Sequence, residues 1–260
     1  MTDPRHVVDE LASRLRRHFG PELRALYLFG SLPAGWFRPG KSDVDLFAVL
    51  ASDIREGETL EALRSLHDGF VAEFPAWHER VEVGYVSQAV LQTFGDVPKG
   101  QVAIVSPGEP LNVKAAGSEW VLDWHSVCMQ GETLVGPLPH EIGPVVTAGA
   151  YREAVLAQLR EWKTEVRAAQ VAYVPAHQGY IVATVCRALY ALVTGKQTFE
   201  RECREMGPTT VPRVGELHRR GGRLVPGRPQ WATRSHDSIR RPCRRRSRAV
   251  VEVYRNDVAL

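Results

Sequence analysis

The alternation of apolar and polar positions predicts helices and strands in turn over the first hundred residues. An amphipathic helix is predicted over residues 4–19, between the capping pair Asp3-Pro4 and the breaking pair Gly20-Pro21. A second helix is predicted over residues 58–71, where leucines recur at helical spacing. Short apolar runs at residues 26–29, 44–47 and 81–86 predict three strands.

The pattern changes near Ser106-Pro107-Gly108-Glu109-Pro110, and only helical periodicity is recognised after it. Helices are predicted from Ser118, over residues 151–169 and over residues 178–193, with Gly195 ending the last one. We therefore predict an α+β domain with a mixed sheet over residues 1–108, followed by an all-α helical bundle over residues 109–198.

Two of the predicted strands carry groups suited to phosphate and metal chemistry. Gly30 and Ser31 follow the first strand, where glycine allows close approach of the backbone and serine adds a hydroxyl, so the pair suits a phosphate. Asp43 and Asp45 bracket Val44 at the next strand, and alternate residues of a strand share a face. Two carboxylates on one face suit Mg²⁺, which also takes oxygens from substrate phosphates.

A third carboxylate, Glu82, lies in the strand Val81-Glu82-Val83 among apolar neighbours. An isolated carboxylate there is costly, which favours a metal-binding or proton-transfer role. Glu82 is thus the candidate base that activates an acceptor hydroxyl. A cross-strand ion pair with Arg80 or with another surface cation is the alternative interpretation.

Gly30-Ser31, the loop that ends in Ser42-Asp43-Val44-Asp45, and the later Val81-Glu82-Val83 together resemble the nucleotidyltransferase superfamily. Within it the chain resembles aminoglycoside adenylyltransferases of the streptomycin and spectinomycin type. Residues 182–190 and the following Thr194-Gly195-Lys196 also resemble the helical domain of that family, so the resemblance covers about residues 20 to 198.

The resemblance implies a Mg²⁺-dependent enzyme that transfers AMP from ATP to a hydroxyl of a small acceptor. It implies that Asp43 and Asp45 hold the metal, that Gly30, Ser31 and Ser42 bind the nucleotide and that Glu82 is the base. A polycationic acceptor calls for acidic side chains. The helical half offers a set of candidates: Glu119, Asp123, Glu132, Glu161 and Glu165.

Tryptophans in the predicted helices are candidates for stacking on the acceptor. Trp162 is the best placed, because the polar run Lys163-Thr164-Glu165 follows it. Trp120 and Trp124 lie at helical spacing, and tryptophans at this spacing more often belong to the core.

Composition indicates a cytoplasmic globular protein. The chain has 260 residues, 44% of them hydrophobic, and a formal net charge of +3, which neither requires nor excludes a cationic ligand. No secretory leader is recognised at Met1, and the most apolar run, Tyr180 to Val193, is short and contains Arg187. The four cysteines are widely spaced, which is typical of reduced thiols. We expect no membrane association, and the oligomeric state is left open.

The residues from 199 to 260 depart from the family pattern. They are rich in Arg, Gly and Pro, with no sustained apolar period. A basic disordered tail that binds nucleic acid is one interpretation, and a late frameshift is the other. Three hypotheses for function follow: an enzyme that adenylylates an aminoglycoside, an antitoxin-type enzyme that adenylylates a protein, and a weakly active homologue with a nucleic-acid-binding tail.

Overall fold

The computed structural model describes residues 3–54, 57–167 and 175–195. The chain divides into two compact units, Met1–Ala154 and Val155–Leu260. The basic segment 199–260, with its two alternative interpretations, lies outside the described residues.

The first unit is built on six strands and the helices that connect and cover them. The strands are Leu23–Phe29 (β1), Val44–Leu50 (β2), Val81–Ser87 (β3), Gln101–Ser106 (β4), Glu109–Ala115 (β5) and Glu132–Val135 (β6). The helices are Pro4–Phe19 (α1), Glu58–Glu73 (α2), Gln88–Leu91 (α3), Ser118–Gln130 (α4) and Pro139–Ile142 (α5), with 3-10 turns at Gly20–Glu22, Pro75–Trp77 and Gln92–Gly95.

All six strands belong to one mixed sheet in the order β5-β4-β3-β2-β1-β6. Only β2 and β3 pair in parallel, and the other neighbours are antiparallel. A parallel pair needs a crossover connection, which α2 supplies between β2 and β3. This confirms the α+β class with a mixed sheet.

The two faces of the sheet are covered by different helices. One face presents Leu26, Leu46 and Val83 to a core that contains the apolar residues of α1 and α2. The other face meets α4, because the Trp120 and Trp124 rings both contact Phe47. Both tryptophans are fully buried, which confirms their assignment to the core.

Local capping agrees with the sequence at the first helix. The Asp3 side chain accepts a hydrogen bond of 3.0 Å from the backbone N–H of Arg5, and Pro4 occupies the first helical position. Gly20, at a φ of 52°, ends α1 as the Gly20-Pro21 pair predicts.

The sheet continues past residue 108, where the sequence pattern suggested the end of the α+β domain. Pro107 and Gly108, with Gly108 at a φ of 80°, form the turn of the hairpin between β4 and β5 rather than a linker. β5 and β6 then complete the sheet, and the division between units falls after Ala154. The expectation that only helices follow residue 108 is therefore corrected.

Two helices account for nearly all of the described residues from Val155 onward. They are Ala148–Arg167 (α6), of which the greater part follows Val155, and Pro175–Thr194 (α7). As predicted, Gly195 follows α7 at a φ of 69°, and its N–H donates to the Ala191 carbonyl oxygen at 2.8 Å. Among the described helices, we find none with the length and apolar character needed to cross a bilayer.

Candidate active site

The predicted site residues meet at the edge of the sheet where β1 ends and β2 and β3 begin. Since β1 is antiparallel to β2, its last residue, Phe29, pairs with Asp45 near the start of β2. Since β3 is parallel to β2, Asp45 pairs on its other side with Glu82. The chain thus brings Gly30, Asp45 and Glu82 together from three neighbouring strands.

Asp45 and Glu82 occupy the same face of the sheet. Directly paired residues of adjacent strands project to the same side, with strands about 4.8 Å apart. Both side chains are half-buried, whereas Val44 and Val83 beside them are fully buried. Asp43 directly precedes β2, two residues before Asp45, and is also half-buried.

Gly30 has a φ of 76°, a left-handed conformation that side chains rarely adopt. A Cβ atom at this position would lie 2.1 Å from the Oδ2 atom of Asp45. The absent side chain of Gly30 therefore makes room for the Asp45 carboxylate.

The loop from Ser31 to Ser42 is folded by its own hydrogen bonds. The Trp36 N–H donates to the Ser31 carbonyl oxygen at 2.9 Å, and the Ser42 N–H donates to the Arg38 carbonyl oxygen at 2.9 Å. The Ser42 hydroxyl accepts a hydrogen bond of 3.0 Å from the Arg38 N–H. Ser42 thus closes the end of the loop that precedes Asp43.

Helix α4 covers the face of the sheet on which Glu82 lies. A Cβ atom at Gly84, two residues after Glu82, would lie 2.6 Å from the Trp120 ring, so glycine lets the helix approach β3 closely. Asp123 lies one helical turn beyond Trp120. Its position on α4 brings a further carboxyl group toward Glu82.

The charges around Asp123 are predominantly acidic. Burial raises the pKa of the Asp123 carboxyl well above its usual value, the carboxylates of Glu82 and Glu119 raise it further, and Lys114 lowers it. Glu82 and Glu119 therefore each lie within electrostatic reach of Asp123, a grouping that favours a positively charged ligand.

The carboxylates fit Mg²⁺ held jointly by protein and substrate. Within the described ranges, no group of three or more His, Cys, Asp or Glu side chains forms a metal site by itself. Mg²⁺ is commonly bound through one or two carboxylates, with water and substrate phosphates as the other ligands. Asp45 in β2, beside the turn at Gly30, and Asp43 just before the strand have the chemistry of that donor set.

Other predicted site residues have different surroundings. Glu132 pairs with Arg5 at 2.5 Å. The Trp162 and Glu165 side chains lie outside what the structure describes, although their backbone belongs to α6. Arg80 contributes to the candidate site in a way that the sequence did not indicate, since it suggested only an ion pair with Glu82. The Nη2 atom of Arg80 donates a hydrogen bond to the Ser42 carbonyl oxygen at 2.5 Å.

No protein-family model and no curated protein sequence matches the chain. Among solved structures, it is similar to the spectinomycin adenyltransferase AAD(9) from Enterococcus faecialis, solved with ATP and spectinomycin. The TM-score is 0.67 at 14% identity, and the match covers 88% of this chain and 92% of that one.

Two toxin-antitoxin structures also match, with scores too low to establish a shared fold. One contains AMP-PNP, has a TM-score of 0.30 at 16% identity, and covers 62% of this chain and 93% of that one. The other, MntA-HepT, has a TM-score of 0.28 at 15% identity, and covers 63% of this chain and 94% of that one. The chain therefore shares its fold with a spectinomycin adenyltransferase, which confirms the fold that the sequence resemblance implied.

Proposed function

We propose that the protein is a Mg²⁺-dependent nucleotidyltransferase that transfers AMP from ATP to a hydroxyl group of a small cationic acceptor, most specifically an aminoglycoside. The observation that carries the proposal is the register at the sheet edge, where Asp45 pairs with Phe29 on one side and Glu82 on the other. An ATP donor also agrees with the cytoplasmic location expected from the sequence.

In this reaction Asp43 and Asp45 would hold a magnesium ion, which would neutralise charge on the triphosphate. Gly30 and Ser31 lie at the turn beside Asp45, where backbone N–H groups and a hydroxyl would be available to the phosphates. Ser42 closes the loop that shapes this side of the nucleotide site, through its contact with Arg38.

Glu82 acts as the base. Its carboxylate takes the proton of the acceptor hydroxyl, and the hydroxyl oxygen forms a bond to the α-phosphorus of ATP. The bond from that phosphorus to the β-phosphate oxygen breaks, and pyrophosphate leaves. The position of Glu82 beside Asp45 supports this role, because base and metal ligand serve the same reacting centre.

The acidic surroundings of Glu82 support a cationic acceptor. Asp123 lies within electrostatic reach of both Glu82 and Glu119, and ammonium groups of an acceptor need carboxylate counter-charges when they leave water. The similarity to an adenyltransferase solved with spectinomycin suggests the same kind of acceptor. Trp162 remains the proposed stacking residue.

Pyrophosphate release tests the proposal. We expect release when the protein is incubated with MgATP and one member of an aminoglycoside panel, and little release without acceptor. The double variant Asp43→Asn, Asp45→Asn should lose at least about 10²-fold in turnover, since each change removes a preorganised charge. Asp68→Asn, an exposed carboxyl on α2, is the matched control and should behave as the parent.

Turnover of the double variant equal to that of the parent would refute the proposal. With ATP labelled at the α-phosphate, label on the antibiotic identifies a small acceptor. Label on a co-purified protein, with none on any aminoglycoside, would instead favour the protein-adenylylating alternative.

A further inference from the structure

Arg80, the residue before β3, holds the chain on both sides of Asp43. Its carbonyl oxygen accepts a hydrogen bond of 2.9 Å from the Val44 N–H. Its Nη2 atom donates to the Ser42 carbonyl oxygen at 2.5 Å. Ser42 and Val44 are the two neighbours of Asp43, so one residue fixes both peptide segments that lead to this carboxylate.

The guanidinium group of Arg80 is itself held by the core. It lies 4.6 Å from the centroid of the Trp77 ring, and Trp77 is 1% exposed. Such cation–π contacts strengthen where the ring and cation are shielded from water. The Trp77 ring in turn stacks on Phe37 of the loop, at 6.3 Å between centroids and 27° between planes. The same stack therefore supports the loop and Arg80.

The backbone before Arg80 adopts an uncommon conformation that closes a tight turn. Among the described residues, Glu79 is the non-glycine residue with a positive φ, at 56°. The Arg80 N–H donates to the Trp77 carbonyl oxygen at 3.0 Å across this turn. The turn returns the chain to Trp77 and places the guanidinium over its ring.

We infer that Arg80 is a positioning residue, which fixes Asp43 in the orientation needed to bind the metal beside Asp45. The inference rests on the proposed function and adds Arg80 to the residues that form its metal site. Asp43 lies outside the ladder of β2, so the strand alone does not determine its position. Residues that orient metal ligands typically contribute about 10- to 100-fold to metal affinity or activity.

Arginine suits this position better than lysine. Its planar group stacks on the Trp77 ring while an edge N–H donates to the Ser42 carbonyl oxygen. The compact ammonium group of lysine has no plane to stack in this way. We therefore expect Arg80→Lys to retain part of the positioning of Asp43 and Arg80→Met to lose it.

Hydrogen exchange on the metal-free protein tests the contact itself. The variants are Arg80→Met and Arg80→Lys, with Arg14→Met as the matched control. Arg14 also places its guanidinium over aromatic rings, 5.5 Å from the Phe70 centroid, but it belongs to α1 and ion-pairs with Glu10. We expect amide exchange in a peptide covering residues 40–46 to accelerate at least tenfold in Arg80→Met, by less in Arg80→Lys, and not at all in Arg14→Met.

Metal affinity tests whether the positioning of Asp43 matters for metal binding, without relying on turnover. Mn²⁺ is the probe, titrated in the presence of a non-hydrolysable ATP analogue and followed by electron paramagnetic resonance. We expect the dissociation constant for Mn²⁺ to rise about 10- to 100-fold in Arg80→Met and to be unchanged in Arg14→Met. In turnover assays, raising the Mg²⁺ concentration should restore part of the activity of Arg80→Met but not that of an Asp43→Asn variant.

Unchanged exchange in residues 40–46, or unchanged Mn²⁺ affinity in Arg80→Met, would overturn the inference. If Arg80→Met does not fold, Arg80→Lys decides by the same two measurements, since it keeps the charge and most of the side chain. Failure of the proposed function is distinguishable: the parent would then bind Mn²⁺ with the analogue but would adenylylate no acceptor.

Discussion

A Cβ atom at Gly30 would lie 2.1 Å from the Oδ2 atom of Asp45, so these two residues cannot both keep their places if position 30 carries a side chain. We expect Gly30→Ala to lower turnover at least about 10²-fold, because the displaced carboxylate no longer presents a preorganised charge to the metal. The left-handed φ of 76° adds a stability cost of about 1–2 kcal/mol.

Gly35→Ala is the matched control for this change. Gly35 has a φ of 77°, but a Cβ atom there would meet nothing within 4 Å. Both variants should therefore lose similar stability in a thermal melt, whereas only Gly30→Ala should lose most of its pyrophosphate release. Equal loss of turnover in the two variants would contradict the steric argument.

Replacement of Glu82 separates proton transfer from metal binding. We expect Glu82→Gln to lower kcat by about 10²- to 10⁴-fold, since glutamine cannot take the acceptor proton. Affinity for MgATP should stay within about threefold of the parent, because Asp43 and Asp45 remain. Equilibrium binding of a fluorescent ATP analogue, measured beside steady-state kinetics, checks both expectations.

Asp45→Asn is the comparison for Glu82→Gln. It should weaken MgATP binding as well as turnover, because it removes a proposed metal ligand. A tenfold loss of nucleotide affinity in Glu82→Gln would instead indicate that Glu82 also binds the metal.

The strand-borne carboxylates could be predicted from the sequence because the rule that places them is local. Asp45 needed only a recognised strand, whereas Asp43 precedes β2 and is not placed by the alternation of that strand. The pairing of Asp45 with Glu82 is not local, because it depends on a parallel register between β2 and β3 across the α2 connection. The apolar neighbours of Glu82 and the family resemblance, rather than periodicity, assigned it to the same site.

The end of the sheet domain could not be predicted by the same reasoning. Strand β6 has four residues, too few for a periodic signal. Strand β5 lies at the edge of the sheet, and its charged and polar residues obscure the apolar pattern of a strand. The Pro107-Gly108 turn, read as a linker, is a hairpin turn. Arg80 was similarly hidden, because its partner Ser42 lies 38 residues earlier in the sequence.

Asp123 provides a prediction in which stability and function change in opposite directions. Its raised pKa means that the folded chain holds a proton at a pH where the unfolded chain has lost it, so this group opposes folding as pH rises above the ordinary Asp range. We expect Asp123→Asn to raise Tm at neutral pH, where about 1 kcal/mol corresponds to 2–4 °C. The KM for a cationic acceptor should rise about tenfold, because a bound ammonium group would favour the ionised form of Asp123, which asparagine cannot provide.

Thermal melts at pH 5 and pH 8 check the first part of this prediction. The gain in Tm from Asp123→Asn should be larger at pH 8, because the penalty of keeping this carboxyl protonated in the folded chain grows with pH. Glu141→Gln, an exposed acid on α5 outside this cluster, should leave the KM for the acceptor unchanged. An acceptor KM that is equally unchanged in Asp123→Asn would exclude Asp123 from acceptor binding.

His67 and Tyr85 form a buried pair on the face of the sheet away from α4, with 2.7 Å between the His67 Nε2 and the Tyr85 hydroxyl oxygen. Burial, with a smaller contribution from nearby His18, lowers the pKa of His67 to about 4. The folded chain therefore binds fewer protons than the unfolded chain between pH 6.5 and pH 4. The contribution of His67 to stability is present above pH 6.5 and is lost as pH falls toward 4, by about 3 kcal/mol for the whole interval.

Urea unfolding at pH 7, 5.5 and 4.5 measures this loss. We expect His67→Leu to show a shallower decline on acidification than the parent, because leucine has no proton to gain. Tyr85→Phe serves as the control: it removes the hydrogen bond, at a cost of about 1–3 kcal/mol, but leaves the imidazole buried, so its acid slope should match the parent. An identical acid slope in His67→Leu would assign the pH dependence to carboxyl groups elsewhere in the chain.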